Sequence, residues 1–161
     1  MPWQKDFTLS EHPKGCHLVT DEVISHIRPG LRDVKIGILY LFIQHTSAAL
    51  AINENFDPGE PISSDATKFL QCVADTFVRC KDVRKDMDMA LDNIVPVTLN
   101  WKHGAEEGPD DSASHTKTAL IGTSLQIPIT DGHLNLGSWQ GIYLAEFREL
   151  PHVRKVVATI L

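Results

Sequence analysis

Polar and apolar residues alternate from Trp3 to Leu9, the period of two that a half-buried strand produces. Cys16 to Val19 is the next short apolar stretch and is expected to pair with it. Thr20 or Asp21 can cap a short helix through Ile27, which Pro29-Gly30 should stop. From Lys35 to His45 the pattern becomes apolar on both sides. Ile36, Ile38, Tyr40 and Phe42 share one face, and Leu39, Leu41 and Ile43 share the other. A strand apolar on both faces belongs in the middle of a sheet. His45 ends it on the Leu39 face.

Thr46 to Ile62 is rich in small residues, then carries Asn53-Glu54-Asn55 and Asp57-Pro58-Gly59. It reads as a loop or a short helical piece. Ser63 or Ser64 then caps the helix with the clearest period: Ala66, Phe69, Leu70, Val73, Ala74, Phe77 and Val78. Residues 81–93 are charged and expected to face solvent. Ile94 to Trp101 reads as a strand presenting Val95, Val97, Leu99 and Trp101, with His103 next in line. An acidic loop from Gly104 to Asp111 leads to a helix from Ala113 to Ile121, capped by Asp111 or Ser112 and ended by Gly122. Leu125–Ile129 and His133–Leu136 predict a hairpin around Thr130-Asp131-Gly132. Two last strands, Gly141 to Arg148 and Val153 to Leu161, flank a turn at Pro151. Many strands, few helices and no βαβ rhythm predict a single α+β domain over 1–161, built on largely antiparallel sheet.

Composition narrows the partners. With 161 residues, 42% hydrophobic and 22% charged, the chain is ordinary for a globular domain. Its formal net charge of -6 argues against a nucleic-acid backbone as partner. No apolar run approaches the ~20 residues of a membrane span. Met1 to Asp6 turns acidic before any apolar stretch, unlike a signal peptide. Cys16, Cys72 and Cys80 form no CxxC pair and read as reduced thiols in a cytoplasmic protein.

The unusual feature is histidine, of which there are 8. His45 ends a buried strand, His103 lies past another, and His115 lies near a helix start. Three imidazoles can hold one metal and leave a position open, as in catalytic zinc sites. Imidazole ligation equally fits copper, nickel or iron. The competing reading is three separate hydrogen-bonded side chains at element ends. Glu54, a short loop beyond His45, can serve as a general base in the same cleft or stand as a solvated charge. Asp111 can cap the His115 helix or accept a hydrogen bond that orients an imidazole. Thr46-Ser47 with Asn53, and Gly137 with Gln140, offer short polar groups suited to an oxyanion or phosphate, or simply to loops.

Several ordered blocks carry a resemblance. His45-Thr46-Ser47-Ala48-Ala49-Leu50 is followed by Asn53-Glu54-Asn55 and Asp57-Pro58. Gly108-Pro109-Asp110-Asp111 runs to His115, then come Ile121-Gly122-Thr123-Ser124 and Ile127-Pro128-Ile129. Asp131 to Gly141 reads DGHLNLGSWQG. Together these resemble the YjbQ-like family from about Phe7 to the C-terminus. The resemblance implies an α+β fold with a β-sandwich-like core and a few flanking helices, assembled as a homotrimer. It implies histidine metal ligands matching His45, His103 and His115, with zinc the expected ion. It also implies a secondary thiamine-phosphate synthase activity: a pyrimidine diphosphate loses pyrophosphate as a thiazole phosphate nitrogen is alkylated. Magnesium could accompany such a diphosphate, and Lys117 and Arg148 could steady the leaving charge. Asp111 and His133 depart from the family pattern, where Asn and a longer basic side chain are common. The alternatives are a metal-dependent hydrolase of small phosphorylated or acyl substrates and a metabolite-binding protein without turnover.

Overall fold

The computed structural model describes residues 2–55, 83–104 and 107–161. In chain order the strands are β1 (Trp3–Thr8), β2 (Gly15–Leu18), β3 (Ile36–Ile43), β4 (Ala48–Glu54), β5 (Ser124–Thr130), β6 (His133–Leu134), β7 (Gln140–Glu146) and β8 (Lys155–Ile160). The helices are α1 (Thr20–Leu31), α2 (83–94) and α3 (Asp111–Ile121).

Strand β3 is central as its pattern requires, in a sheet of order β1-β8-β3-β5-β6. A second sheet has the order β2-β7-β4. Every paired strand runs antiparallel. The inward faces meet in one core, where Leu39, Leu41, Ile43, Leu50, Ile142 and Val156 lie against Val23 and Ile27 of α1. The result is the α+β sandwich-like arrangement with flanking helices.

Local signals failed in identifiable places. Only one face of β3 is buried; Ile36, Ile38 and Phe42 are 89%, 39% and 48% exposed on the other. Strand β2 pairs with β7 in the second sheet, Cys16 opposite Ala145, and not with β1. The Thr20 hydroxyl does not cap α1: it accepts the Ile142 N–H at 2.9 Å. Helix α1 continues to Leu31 with Pro29 in its last turn, where few further helical bonds remain to be lost. The small residues after Thr46 form a strand and not a loop. Ala48, Ala49 and Leu50 are fully buried between neighbours, where bulk is not tolerated. Ile94 ends α2 and residues 95–101 form bends and turns instead of the predicted strand, since Pro96 lacks the N–H that a strand ladder needs. Residues 83–94 are not a solvated face: Met87 and Leu91 pack on the Tyr143 and Phe147 cluster. The predicted helix over 63–78 and Asp57-Pro58 lie outside the described residues.

The hairpin prediction fits. Asp131 and Gly132 have φ of 48° and 76°, the left-handed pair that a two-residue turn matching strand twist demands. Helix α3 runs from Asp111 to Ile121, so neither Asp111 nor Ser112 is its cap: Asp110 takes that position without a side-chain cap bond, and Gly122, with φ of 108°, stops the helix as expected.

Candidate functional site

One turn of α3 sets the site. Asp111 and His115 are four residues apart and therefore share a helix face. Asp111 is buried, its side chain 2% exposed, although it is ionisable and opens a helix. Its charge is compensated from across the fold. Arg148, just past β7, places Nη1 2.5 Å from Asp111 Oδ1 and Nε 3.1 Å from Asp110 Oδ2. Its Nη2 donates to the Glu107 carbonyl at 2.5 Å. Desolvation pulls the Asp110 carboxyl upward. The Glu149 N–H and Arg148 outweigh it and hold that carboxyl below its ordinary range.

The second oxygen of Asp111 faces two imidazoles. Oδ2 lies 3.1 Å from His103 Nε2 and 3.2 Å from His115 Nε2. His115 Nδ1 stands 2.8 Å from the Thr46 carbonyl. A carbonyl only accepts, so Nδ1 carries the proton of the neutral ring and Nε2 presents a lone pair to the carboxylate. Two facing lone pairs repel at that distance. A proton or a metal cation between them turns the repulsion into attraction. The donor atoms of His103, Asp111 and His115 all lie within 4.8 Å of one another. Two imidazoles and one carboxylate are a known ligand set for zinc and non-haem iron. The Thr46 carbonyl and Arg148 are the kind of outer partners that orient such ligands.

His45 is not part of this group. Its Nε2 accepts the Lys155 N–H at 2.8 Å, and its Nδ1 sits 3.4 Å from Arg154 Nη1. Burial, and then the Arg154 charge, keep this ring below its ordinary basicity. His45 does line, with Thr46, His115, Thr118, Ala119 and Thr123, a pocket of about 410 Å³. A cavity of about 570 Å³ at the end of α1 holds none of the three donor residues.

The other expected residues divide by position. Thr46 and Ser47 precede β4 at the His115 end. Glu54 and Asn53 lie at the far end, six strand residues on, or about 20 Å away. They do not share the cleft predicted for Glu54. Gln140 pairs with Glu54 there, and the Gly137 N–H donates to the Gln140 side chain at 2.8 Å, closing that turn on itself. Lys117 is 1% exposed, on the side of α3 away from His115, and is ion-paired with Asp92 of α2. Arg148 is likewise engaged. Asp111 as a direct neighbour of His115 was readable from the four-residue spacing. The reach of Arg148, 37 residues distant, had no local signal.

The family model described as UPF0047 protein YjbQ-like matches residues 5–79 and 76–161. UPF0047 protein YjbQ of Salmonella typhimurium is 39% identical over 160 residues, 99% of this chain and 98% of its own. UPF0047 protein YugU of Bacillus subtilis is 31% identical over 112 residues, 69% of this chain and 64% of its own. A yjbq/upf0047 family structure from Clostridium acetobutylicum aligns at TM-score 0.70 with 31% identity, over 98% of this chain and 99% of its own. A YbjQ-like protein of unknown function from Sulfolobus solfataricus has the same fold at TM-score 0.73 and 20% identity, over 99% and 96%. No helix among the described residues is long and apolar enough to cross a membrane.

Proposed function

This chain belongs to the YjbQ-like UPF0047 family, and from that premise we propose that it is a divalent-metal-dependent enzyme centred on His103, Asp111 and His115. The observation that carries this is the single Asp111 oxygen placed 3.1 Å and 3.2 Å from two imidazole nitrogens. Zinc is the ion proposed for these two imidazoles and one carboxylate. When bound, it supplies a Lewis acid that polarises an oxygen of the substrate. The chain's own residues do the positioning. Thr46 fixes the His115 tautomer, and Arg148 holds Asp111 so that one oxygen remains for the imidazoles. His103, 66% exposed at the side chain, leaves the group open to a small molecule.

The family resemblance makes the substrate a small phosphorylated heterocycle, handled by a homotrimer in the cytoplasm. In the thiamine-phosphate synthase-like reaction, the carbon–oxygen bond to pyrophosphate breaks, and its electron pair leaves with the pyrophosphate. The thiazole nitrogen supplies the pair for the new carbon–nitrogen bond. A second reading, metal-dependent hydrolysis, is favoured by one specific observation. Lys117 and Arg148, the cations expected to steady pyrophosphate, are both committed to carboxylates.

Zinc titration by calorimetry tests the centre. One equivalent per chain is expected for the parent and the His45→Ala variant. Asp111→Ala and His115→Ala should lose at least tenfold in affinity, as loss of ligands does. A parent chain that takes up no zinc defeats the proposal. Thiamine phosphate formed from the pyrimidine diphosphate and thiazole phosphate supports the transferase; release of phosphate or acid from simple esters supports the hydrolase. Light scattering should give three chain masses, and a monomer removes the trimer.

A further inference from the structure

The cavity at the end of α1 is remote from the histidines. Lys35 of its lining directly precedes β3 and His45 follows that strand, so the length of β3, about 25 Å, lies between them. The cavity is built where α1 hands the chain to β3. Ile24, Arg28 and Leu31 are spaced by four and three residues, which places them on one face of α1, and Arg32 follows directly. Asp33 then turns the chain with a φ of 63°, a conformation that few side chains adopt. The turn brings Val34 back to the helix end, where its N–H donates to the Leu31 carbonyl at 3.3 Å. The Asp131-Gly132 turn closes the other side. The Asp131 N–H donates to the Lys35 carbonyl at 2.8 Å and the Gly132 N–H to the Val34 carbonyl at 2.7 Å. Two turns joined through their backbones make a fixed wall. The space of about 570 Å³ lies in the range of small-ligand sites.

The lining has two chemical parts. Ile24, Leu31 and Val34 are aliphatic. Arg28, Arg32 and Lys35 are cationic and stand with two carboxylates, Asp33 and Asp131. Three positive charges less two negative ones leave these groups a formal +1, in a chain of -6. Arg28 lies in the last turn of α1, where the helix dipole accounts for it. Arg32 and Lys35 lie past the helix, and the dipole does not account for them. Among the described residues, none of the three cations is within ion-pair distance of a carboxylate. Like charges four residues apart at a helix end repel, and an anion between them removes that cost. A guanidinium takes a carboxylate through two parallel N–H···O bonds. An apolar body beside it would cover the aliphatic wall.

We propose that this cavity is a second ligand site, separate from the histidine group, that binds a small aliphatic carboxylate. The acid group sits among Arg28, Arg32 and Lys35, and the chain lies along Ile24, Leu31 and Val34. Small anions without an apolar body are weak ligands, and apolar cations are excluded.

Calorimetry on the full, chelator-treated chain tests this without a metal ion, so its outcome is independent of the zinc titration. The probes are octanoate, acetate and octylammonium. Octanoate shares its head with acetate and its length with octylammonium. Octanoate should bind saturably, at least about tenfold more tightly than either of the others. Arg32→Glu and Lys35→Glu alter exposed side chains, so circular dichroism should match the parent, and each should weaken octanoate by at least about fivefold. Phe42→Ser removes an exposed apolar group from the outer face of β3 and should leave octanoate binding as it was. A parent that binds no octanoate overturns the proposal, as does octylammonium bound equally well. Octanoate binding that survives both charge reversals, or that falls with Phe42→Ser instead, places the acid elsewhere and also overturns it.

Discussion

Replacing Arg154 by Met is the sharpest test of how the two sheets are joined. Arg154 directly precedes β8 in one sheet, and Glu146 ends β7 in the other. The guanidinium binds the carboxylate through two contacts of 2.6 Å each. Their side chains are 4% and 0% exposed, so water cannot replace either partner. Met keeps the volume of the stem and removes the charge. Glu146 is then left buried with the Arg148 N–H at 3.0 Å as its remaining donor among the described residues. Breaking a buried pair in this way costs about 3–5 kcal/mol. In a chain of this size each kcal/mol lowers the melting temperature by roughly 2–4 °C, so Arg154→Met should fall by roughly 6–20 °C. Glu146→Leu alone should cost a similar amount, because it strands the guanidinium. The double variant should recover more than half of the summed loss, since two apolar side chains often replace a buried pair at little cost. Circular-dichroism melts and urea titrations of the four proteins read this cycle. Arg154→Met melting within about 3 °C of the parent, or a double variant no better than the sum of the singles, would refute the reasoning.

Three further outcomes follow from other buried contacts. Asp92→Asn leaves the Lys117 ammonium, 1% exposed, without its carboxylate. Asp92 is 40% exposed and also pairs with Lys14 at 2.7 Å, so the change should cost about 1–2 kcal/mol, with Lys117→Met in the same background restoring the Lys117 share in urea titrations. Gly30→Ala would normally strengthen a helix by about 1 kcal/mol. Here the added Cβ would come within 2.4–2.9 Å of the Trp3 ring, so the change should destabilise by about 1–3 kcal/mol and alter Trp3 fluorescence. Burial, reinforced by neighbouring His12, holds the His17 imidazole below its ordinary value of 6.5, against the pull of the Pro13 carbonyl. The folded state therefore favours the neutral ring. Its contribution is whole above about pH 6.5 and declines as pH falls below that, because the unfolded chain takes up the proton first. Melting curves from pH 7.5 to 5.5 should show a flatter slope in His17→Asn, and an unchanged slope would discount His17.

How far the fold could be read depended on whether a local pattern had one physical explanation. That Ile36–Ile43 forms a strand, that Asp131-Gly132 turns and that Gly122 stops a helix each had one, and each stands in the structure. Ala48-Ala49-Leu50 had two. Small residues suit a loop, and they equally suit a strand squeezed between neighbours; only the fully buried position beside β7 decides. Ile36, Ile38 and Phe42 misled in the other direction, because an apolar residue on a strand does not say whether its face is covered. The site was legible in the same partial way. His103 and His115 were singled out by residue type, and the structure brings them together. His45 shared the type and the strand-end position, yet the Lys155 N–H and Arg154 claim its nitrogens, and both come from a segment over a hundred residues later.

Charge gives the site an order of events. Glu107, Asp110 and Asp111 contribute three negative charges and Arg148 one positive, so the group carries a formal -2 while its imidazoles are neutral. The whole chain carries -6. A phosphorylated ligand approaching the bare group meets repulsion, and the guanidinium nearest it among the described residues, Arg148, is already bound on three sides. A divalent cation cancels that charge and places a positive centre where the anion would arrive, which makes the same approach favourable. On the reading proposed above, metal is therefore expected to precede an anionic ligand. In calorimetry, methylphosphonate should give no measurable heat of binding to chelator-treated protein and a saturable isotherm once one equivalent of zinc is present. Equal binding in both states would place the anion elsewhere on the molecule and break the link between the carboxylate–imidazole group and phosphorylated substrates.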